Sequence, residues 1–169
     1  MKTVLILALE GVMDSSLAIT LDTLRASQAF LSNAGKPDRV RILIAGQKRV
    51  VRTGAGLQLK PDLTFTEALQ RTGRPEWIIV PALGLVSDEA ISTRFRQTDA
   101  QAAMALLRQA SRSTHIAASC SSVFLLAETG LLSGRQATMT WWLAHVFRAR
   151  HPDVRLDETK MLVRDGPYL

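Results

Sequence analysis

The sequence predicts an α/β fold, a three-layer sandwich in which helices cover both faces of a mainly parallel β-sheet. Short apolar runs without polar alternation recur along the chain, as is typical of strands buried on both faces. Segments with helical periodicity lie between these runs, which makes the connections right-handed crossovers. With 169 residues and 47% hydrophobic content, the chain suits a single domain over residues 1–169 with its own core.

The first strand is predicted at residues 3–9, where the apolar side chains are continuous. Leucines at helical spacing then predict a helix at residues 15–33, which Gly35 and Pro37 end. The opening MKTVLILALEG has the look of a signal peptide, but its apolar run is short and Glu10 interrupts it. A buried strand is therefore the better interpretation of these residues.

The middle of the chain predicts two further strands, VRILIA at residues 40–45 and WIIV at Trp77–Val80. Residues 46–59 predict a small hairpin or an arm that turns at the glycines of GAG. A short helix is expected at residues 66–71, and helical sequence resumes at about Ser87.

The last part of the chain continues the alternation. A helix is predicted at residues 100–111 and a fourth strand at His115–Ala118. The next helix begins just past Cys120 and is ended by Gly130. The remaining predicted elements are a short strand at 137–140, a helix at 142–150 and a last strand at 161–164.

Cysteine content and hydropathy limit the setting in which the protein works. A single cysteine excludes an internal disulfide framework and fits a reducing compartment, so a cytoplasmic location is expected. No apolar stretch is long enough to span a bilayer, so no membrane partner is expected.

The net charge of +6 and the pI of about 10.2 raise the question of nucleic-acid binding. The densest basic group comprises Arg39, Arg41, Lys48, Arg49 and Arg52. No aromatic side chains that could stack on bases are interleaved with it. A solvated basic surface is favoured over a DNA site within these residues.

Cys120 lies in AASCSS, at the predicted junction of the fourth strand and the following helix. Small neighbours are what a nucleophile elbow requires, because its sharp turn forces the central residue into a strained conformation. The turn would also direct the first amides of the helix at the sulfur. The alternative is a small buried side chain without chemical function. The position favours the elbow.

The stretch IAASCSSVFLLAETGLLSGRQATMTWW resembles the ThiJ/PfpI branch of the class I glutamine amidotransferase-like superfamily. More narrowly, it resembles the amino-terminal domain of GlxA-type regulators of the AraC family. VLILALEGVMDSSLAITLDTLRAS and WIIVPALG extend the likeness over most of the chain. The resemblance implies a flavodoxin-like fold, a homodimer and a DNA-reading helix-turn-helix domain that follows these residues and is absent from them. It also implies that the domain at residues 1–169 is truncated at its carboxyl-terminal end, because relatives continue into a further strand or turn and closing helices.

The catalytic groups of that family transfer poorly to this chain. Relatives pair the elbow cysteine with a histidine where this sequence has Thr140, and they place an acidic residue where it has Ser16. His115, His145 and His151 are all interpreted as structural or surface residues. The three histidines are widely spaced and no Walker-type phosphate loop is present, so neither a metal nor another cofactor is expected.

The loops after the first, third and fourth strands share the carboxyl edge of the predicted sheet, where ligands bind in such folds. Glu10 and Asp14 are candidates there, although a loop carboxylate and a helix cap are the favoured roles. Of the adjacent tryptophans, one is expected in the core and the other at a pocket or an interface. The candidate ligand-binding residues are Glu10, Asp14, Ser16, Leu83, Gly84, Cys120, Ser121, Thr140 and Trp141, and Cys120 is the candidate nucleophile.

Three functions remain open from the sequence. A sensor domain would bind a small molecule, such as a polar or amide-bearing metabolite, in the pocket at the elbow. An enzyme of the ThiJ/PfpI kind, a hydrolase, glyoxalase or deglycase, would use Cys120, with amides near Leu83 and Gly84 as an oxyanion site. A pure dimerisation scaffold would do neither. The missing histidine favours the sensor.

Overall fold

The computed structural model describes residues 2–36, 40–111 and 114–169. The strands of this part of the chain are β1 (Lys2–Ala8), β2 (Val40–Gly46), β3 (Val51–Arg52), β4 (Gln58–Leu59), β5 (Leu63–Thr64), β6 (Trp77–Val80), β7 (His115–Ala118), β8 (Gln136–Ala137) and β9 (Arg155–Leu156). Its helices are α1 (Asp14–Asn33), α2 (Phe65–Thr72), α3 (Asp88–Phe95), α4 (Thr98–Ala110), α5 (Ser122–Glu128) and α6 (Ala144–Arg150), the last preceded by a 3₁₀ turn at Trp141–Leu143.

A five-stranded sheet with the order β5-β2-β1-β6-β7 forms the centre of the molecule. Every pairing in it is parallel, which confirms the predicted α/β architecture. Parallel strands need crossover connections, and helices supply them except between β2 and β5, where the connection contains β3 and β4. The carboxyl ends of β1, β6 and β7 therefore meet at one edge, and the loops that follow them form the site described below.

The two faces of the sheet are covered unequally. Alternate side chains such as Leu5, Leu7 and Ile78 pack with apolar residues of α2 to α6 in the larger core. Ile6 on the opposite face packs with Leu17 of α1 in a smaller core. Among the described helices, none combines the length and the apolar character needed to cross a lipid bilayer.

Most predicted elements are confirmed, including the strands at Trp77–Val80 and His115–Ala118. The predicted hairpin is the antiparallel pair β3 and β4, with GAG in its turn. Gly35 has a φ of +67° just after α1, as suits a residue that follows a helix end. Pro37, the other predicted stop signal, and Arg39 lie outside the described residues.

The prediction of a last strand at residues 161–164 is wrong. Met161 and Leu162 are 98% and 69% exposed, and this segment has no strand assignment. An apolar run alone does not make a strand, because the run must also meet a neighbouring strand with free hydrogen-bonding groups. The short strand that does form nearby is β9, which pairs in parallel with β8. The strand predicted at 137–140 corresponds to β8, which begins one residue earlier, at Gln136, and ends at Ala137.

The last three residues extend the edge of the sheet beside β7. The amide of Ile116 donates to the carbonyl of Pro167, and the amide of Leu169 donates back to the carbonyl of Ile116. Ala118 then donates to the carbonyl of Leu169. Tyr168 is buried as a result, and this segment lies next to the turn that carries Cys120.

His151 ends α6 inside the core. Its ring lies 5.1 Å from the ring of Phe147 and 6.2 Å from that of Phe124, measured between centroids. Nε2 is 3.6 Å from a carboxylate oxygen of Glu128 and has no hydrogen-bond partner in the described residues. Burial lowers the pKa of His151, and this effect outweighs the opposing influence of the Glu128 and Asp153 carboxylates.

We predict that His151 makes stability depend on pH on the acid side of neutrality. The pKa of His151 is lower in the folded than in the unfolded chain. Its imidazole is therefore neutral in both states above about pH 6.5, and as the pH falls the unfolded chain binds the proton first. The free energy of unfolding should fall below about pH 6.5, by at most about 1.4 kcal/mol per pH unit. Urea titrations from pH 7.5 to 5 measure it.

His151→Phe should flatten this pH dependence, since it removes the titrating group and keeps an aromatic ring in the core. His145→Gln is the matched control, because His145 lies on the same helix but is exposed. Equal slopes in His151→Phe and in the unmodified protein would contradict the assignment.

Candidate functional site

The turn between β7 and α5 is the predicted elbow. Cys120 lies at its centre with a φ of +54°, and it is the one non-glycine residue with a positive φ in the described part of the chain. This left-handed conformation costs an L-residue roughly 1–2 kcal/mol. The sulfur-bearing side chain is half-buried. The strained turn confirms the elbow that the small residues around Cys120 predict.

Serine hydroxyls tie the elbow to the loop after β6. The hydroxyl of Ser122 donates to the carbonyl of Pro81 at 2.6 Å. The amides of Leu83 and Leu85 both donate to Oγ of Ser121 at 3.4 Å. The amide of Leu83, which the enzyme hypothesis needs as an oxyanion donor, is therefore already hydrogen-bonded within the protein. Gly84 is exposed and lies between these two amides with a φ of +65°.

Ser16 joins the same network from α1. Its Oγ accepts a hydrogen bond from the amide of Ala82 at 3.0 Å and lies 3.3 Å from Oγ of Ser119, where either hydroxyl can donate. The position at which relatives carry an acid thus lies beside the residue that precedes Cys120. Here it holds a neutral hydroxyl, which connects three loops at the sheet edge.

Glu10 and Asp14 hold the hairpin of β3 and β4. The amide of Arg52 donates to the carboxylate of Glu10 at 3.1 Å. The carboxylate of Asp14 accepts from the hydroxyl of Thr53 and from the amide of Ala55, and these hydrogen bonds lower its pKa. Asp14 does not cap α1, contrary to the favoured prediction, because its carboxylate is turned toward the hairpin.

A buried ion pair fixes the loop between β1 and α1. Arg94 and Asp99, 8% and 4% exposed, form a bidentate pair across the junction of α3 and α4. Arg94 also donates to the carbonyl of Glu10, and Asp99 accepts from the amide of Glu10. Burial opposes ionisation of Asp99, but the hydrogen bonds from Arg94 and Glu10 outweigh it and lower the pKa of Asp99.

A pocket of about 430 Å³ opens beside Cys120. Its walls are the elbow, α5, β8, the two tryptophans and the carboxyl-terminal segment. The lining residues are Ala118, Ser119, Cys120, Val123, Leu126, Leu132, Gln136, Ala137, Thr138, Met139, Thr140, Trp141, Trp142, Glu158, Lys160, Met161, Leu162, Val163, Tyr168 and Leu169. Of the candidate ligand-binding residues, Cys120, Thr140 and Trp141 line this pocket, whereas the other six lie around the supporting loops.

Both tryptophans stand at the rim of the pocket, so the prediction that one of them lies in the core is wrong. Trp141 is 75% and Trp142 45% exposed, and their rings meet edge to face at 5.8 Å. Their 3₁₀ turn directs both side chains outward. Met161 and Leu162 also line the pocket, which sequence reasoning missed because their apolar run resembled a strand.

No imidazole lines the pocket among the residues that the structure describes. His115 stacks on Trp77 at 4.7 Å at the start of β7, the end of the strand away from Cys120. His145 is exposed and His151 lies in the core. In residues 2–36, 40–111 and 114–169, no group of histidine, cysteine and acidic side chains suits a metal ion.

Comparison with known proteins gives a family and a fold. The sequence model described as the DJ-1/PfpI family matches residues 2–154. A protein from Vibrio parahaemolyticus, provisionally described as a transcriptional regulator, is 19% identical with a TM-score of 0.78, and the match covers 99% of this chain and 81% of that chain. No curated protein matches the sequence.

Two further solved structures are similar. An AraC family transcriptional regulator from Pseudomonas putida is 15% identical with a TM-score of 0.74, covering 99% of this chain and 82% of that one. Drosophila melanogaster DJ-1beta is 20% identical with a TM-score of 0.70, covering 99% of this chain and 79% of that one. At these identities the likeness concerns the fold alone.

We predict that Asp99→Asn destabilises the protein strongly. The substitution leaves the Arg94 guanidinium buried without an opposite charge, which costs on the order of 3 kcal/mol or more of unfolding free energy. Glu76→Gln is the control, because it removes the exposed ion pair with Lys2 and should change little. Equal losses in urea denaturation of the two variants would show that the buried pair does not anchor the loop.

Proposed function

The chain belongs to the DJ-1/PfpI family, and from that premise we propose that it is the small-molecule-sensing domain of an AraC-family transcriptional regulator of GlxA type. In this proposal residues 1–169 form one amino-terminal domain, and a helix-turn-helix domain that follows them in the full protein reads DNA. The sensing domain binds its effector in the pocket beside Cys120 and does not convert it. Two of the similar structures come from proteins described as transcriptional regulators, which supports the regulatory assignment.

The observation that carries the proposal is the surroundings of the Cys120 thiol. A cysteine nucleophile needs a base that takes its proton and an acid that protonates the leaving group. Thr140 lines the pocket where relatives have a histidine, and Ser16 lies where they have an acid. Glu158, an acidic lining residue, is bound to Arg148. The pocket can therefore hold a molecule, but its lining, within the described residues, contains no histidine and no unpaired carboxylate that could transfer a proton.

The regulatory role carries further expectations about partners. A homodimer would present two DNA-reading domains to the half-sites of an operator, which is how regulators of this kind match the symmetry of their sites. DNA contact would belong to the following domain, because the basic residues are scattered along the sequence and no aromatic side chains are interleaved with their densest group. A protein that acts on DNA in this way would be cytoplasmic.

A cysteine-dependent enzyme, a hydrolase, glyoxalase or deglycase, is the second candidate. The φ of +54° at Cys120 favours it, because backbone strain of this kind clusters at catalytic sites. Against it stand the engaged amide of Leu83 and the position of the three histidines outside the pocket lining.

We predict that Cys120→Ala keeps the fold and removes no activity. Alanine accepts the same backbone conformation at a similar cost, so the free energy of unfolding should change by about 1 kcal/mol or less. Far-ultraviolet circular dichroism and urea titration check the fold. Turnover of a peptide, an ester, methylglyoxal and a glycated amine is compared between the two proteins.

Turnover that the unmodified protein shows and Cys120→Ala lacks would replace the sensor by the enzyme. The regulatory part of the proposal is tested separately, by determining the sequence that the gene encodes after Leu169. A pair of helices with helix-turn-helix patterning supports it, and a stop codon or an unrelated domain contradicts it.

A further inference from the structure

We propose that the pocket beside Cys120 binds a neutral, flat and largely apolar molecule, such as an aromatic compound with one hydrogen-bonding group. This inference rests on the proposed sensing function and names the chemical class of the effector. It differs from the polar or amide-bearing metabolite expected from the sequence, and the reason lies in the lining of the pocket.

The size and the composition of the pocket both suit such a ligand. Sites for drug-sized molecules occupy roughly 300–1,000 Å³, and this pocket has about 430 Å³. Most of its lining is aliphatic or aromatic, including Val123 and Leu126 of α5, Leu132 and Met139. Burial of a ligand's apolar surface against such walls is favourable, whereas burial of polar groups without hydrogen-bond partners is unfavourable.

Exposed apolar side chains are concentrated at this pocket. In the described chain, ten large apolar side chains are exposed, and four of them line it: Trp141, Trp142, Met161 and Leu162. Scattered single residues of this kind need no explanation, but a cluster around a cavity marks a binding surface. Indole rings and a methionine sulfur suit the faces and edges of aromatic ligands.

The charges in the lining are already neutralised by the protein. Glu158 is paired with Arg148, and Lys160 lies 3.2 Å from a carboxylate oxygen of Asp157. Among the described residues that line the pocket, Glu158 and Lys160 are the only members of the Asp, Glu, Lys and Arg set. An ionic ligand would therefore lose its hydration without gaining an unpaired counter-charge, which is unfavourable in an apolar pocket. A neutral ligand avoids that cost.

One buried hydroxyl in the lining lacks a hydrogen-bond partner in the described residues. The hydroxyl oxygen of Thr140 is buried and makes no hydrogen bond within the described residues. An unsatisfied buried hydroxyl costs about 1–3 kcal/mol, so a ligand that bonds to it recovers part of that loss. Thr140 lines the pocket, and in this proposal its hydroxyl is the hydrogen-bonding anchor of the ligand.

The test compares two probes that share a ring system. At pH 7, 2-naphthol is neutral and 2-naphthoate is an anion. Isothermal titration calorimetry and thermal shift should show binding of 2-naphthol, with 2-naphthoate at least about tenfold weaker. L-Glutamine serves as the polar, amide-bearing comparison and should not bind measurably.

Two variants with matched exposure locate the site. Trp141→Ala removes a rim side chain that is 75% exposed, and it should weaken 2-naphthol binding at least about tenfold. Phe30→Ala removes an aromatic side chain that is 74% exposed on α1, outside the pocket lining, and should leave binding unchanged. Thr140→Val should weaken 2-naphthol binding by a smaller factor. Because Trp141 is exposed, its loss should not unfold the protein.

The outcomes separate the ligand class from the function. Tighter binding of 2-naphthoate or L-glutamine that Trp141→Ala abolishes would overturn the neutral apolar class and leave sensing intact. If Trp141→Ala leaves 2-naphthol binding unchanged, the ligand does not bind in the pocket beside Cys120 and the proposal is wrong. Failure of 2-naphthol to bind would overturn the neutral apolar class whatever the other two probes do. Self-association that Trp141→Ala abolishes would then assign the apolar rim to an interface between copies, and the regulatory assignment would still be decided by the sequence beyond Leu169.

Discussion

The left-handed turn at Cys120 is held by hydrogen bonds that its serine neighbours make to other loops. Ser121 and Ser122 bind the loop after β6, and Ser119 lies beside Ser16 of α1. These contacts offset a backbone cost of roughly 1–2 kcal/mol and join the carboxyl ends of β1, β6 and β7 into one rigid edge. Because this edge is fixed, the elbow residues that line the pocket, Ser119 and Cys120, are held in place.

A second set of contacts, buried away from the pocket, also fixes this edge of the sheet. The buried pair of Arg94 and Asp99 binds the backbone of Glu10 on both its amide and its carbonyl side. The loop after β1 is thereby fixed before α1 begins, and Ser16 in the first turn of α1 reaches the elbow. A pair of opposite charges buried away from the pocket thus determines where a hydroxyl near Cys120 lies.

Local sequence patterns predicted the features whose causes are local. The small residues around Cys120 identified the elbow, and continuous apolar runs identified β1, β2, β6 and β7. Contacts between distant residues could not be found in this way, since nothing in the sequence links Arg94 and Asp99 to Glu10. Met161 and Leu162 were misread for the same reason, because composition does not distinguish a buried strand from a pocket wall. The role of Asp14 also depended on a distant partner, the hairpin at Thr53 and Ala55.

In the proposed sensor, backbone strain at the elbow is separate from catalysis. Strain at an elbow is often taken as a sign of chemistry, but here its support comes from hydroxyls that engage the neighbouring amides, including the amide of Leu83. Those hydrogen bonds stabilise the turn whether or not a base is present. Once Thr140 stands where a histidine would act, the same scaffold presents a half-buried thiol to an apolar cavity. Under the proposal, such a cavity selects ligands by shape and by the absence of charge, which suits a sensor.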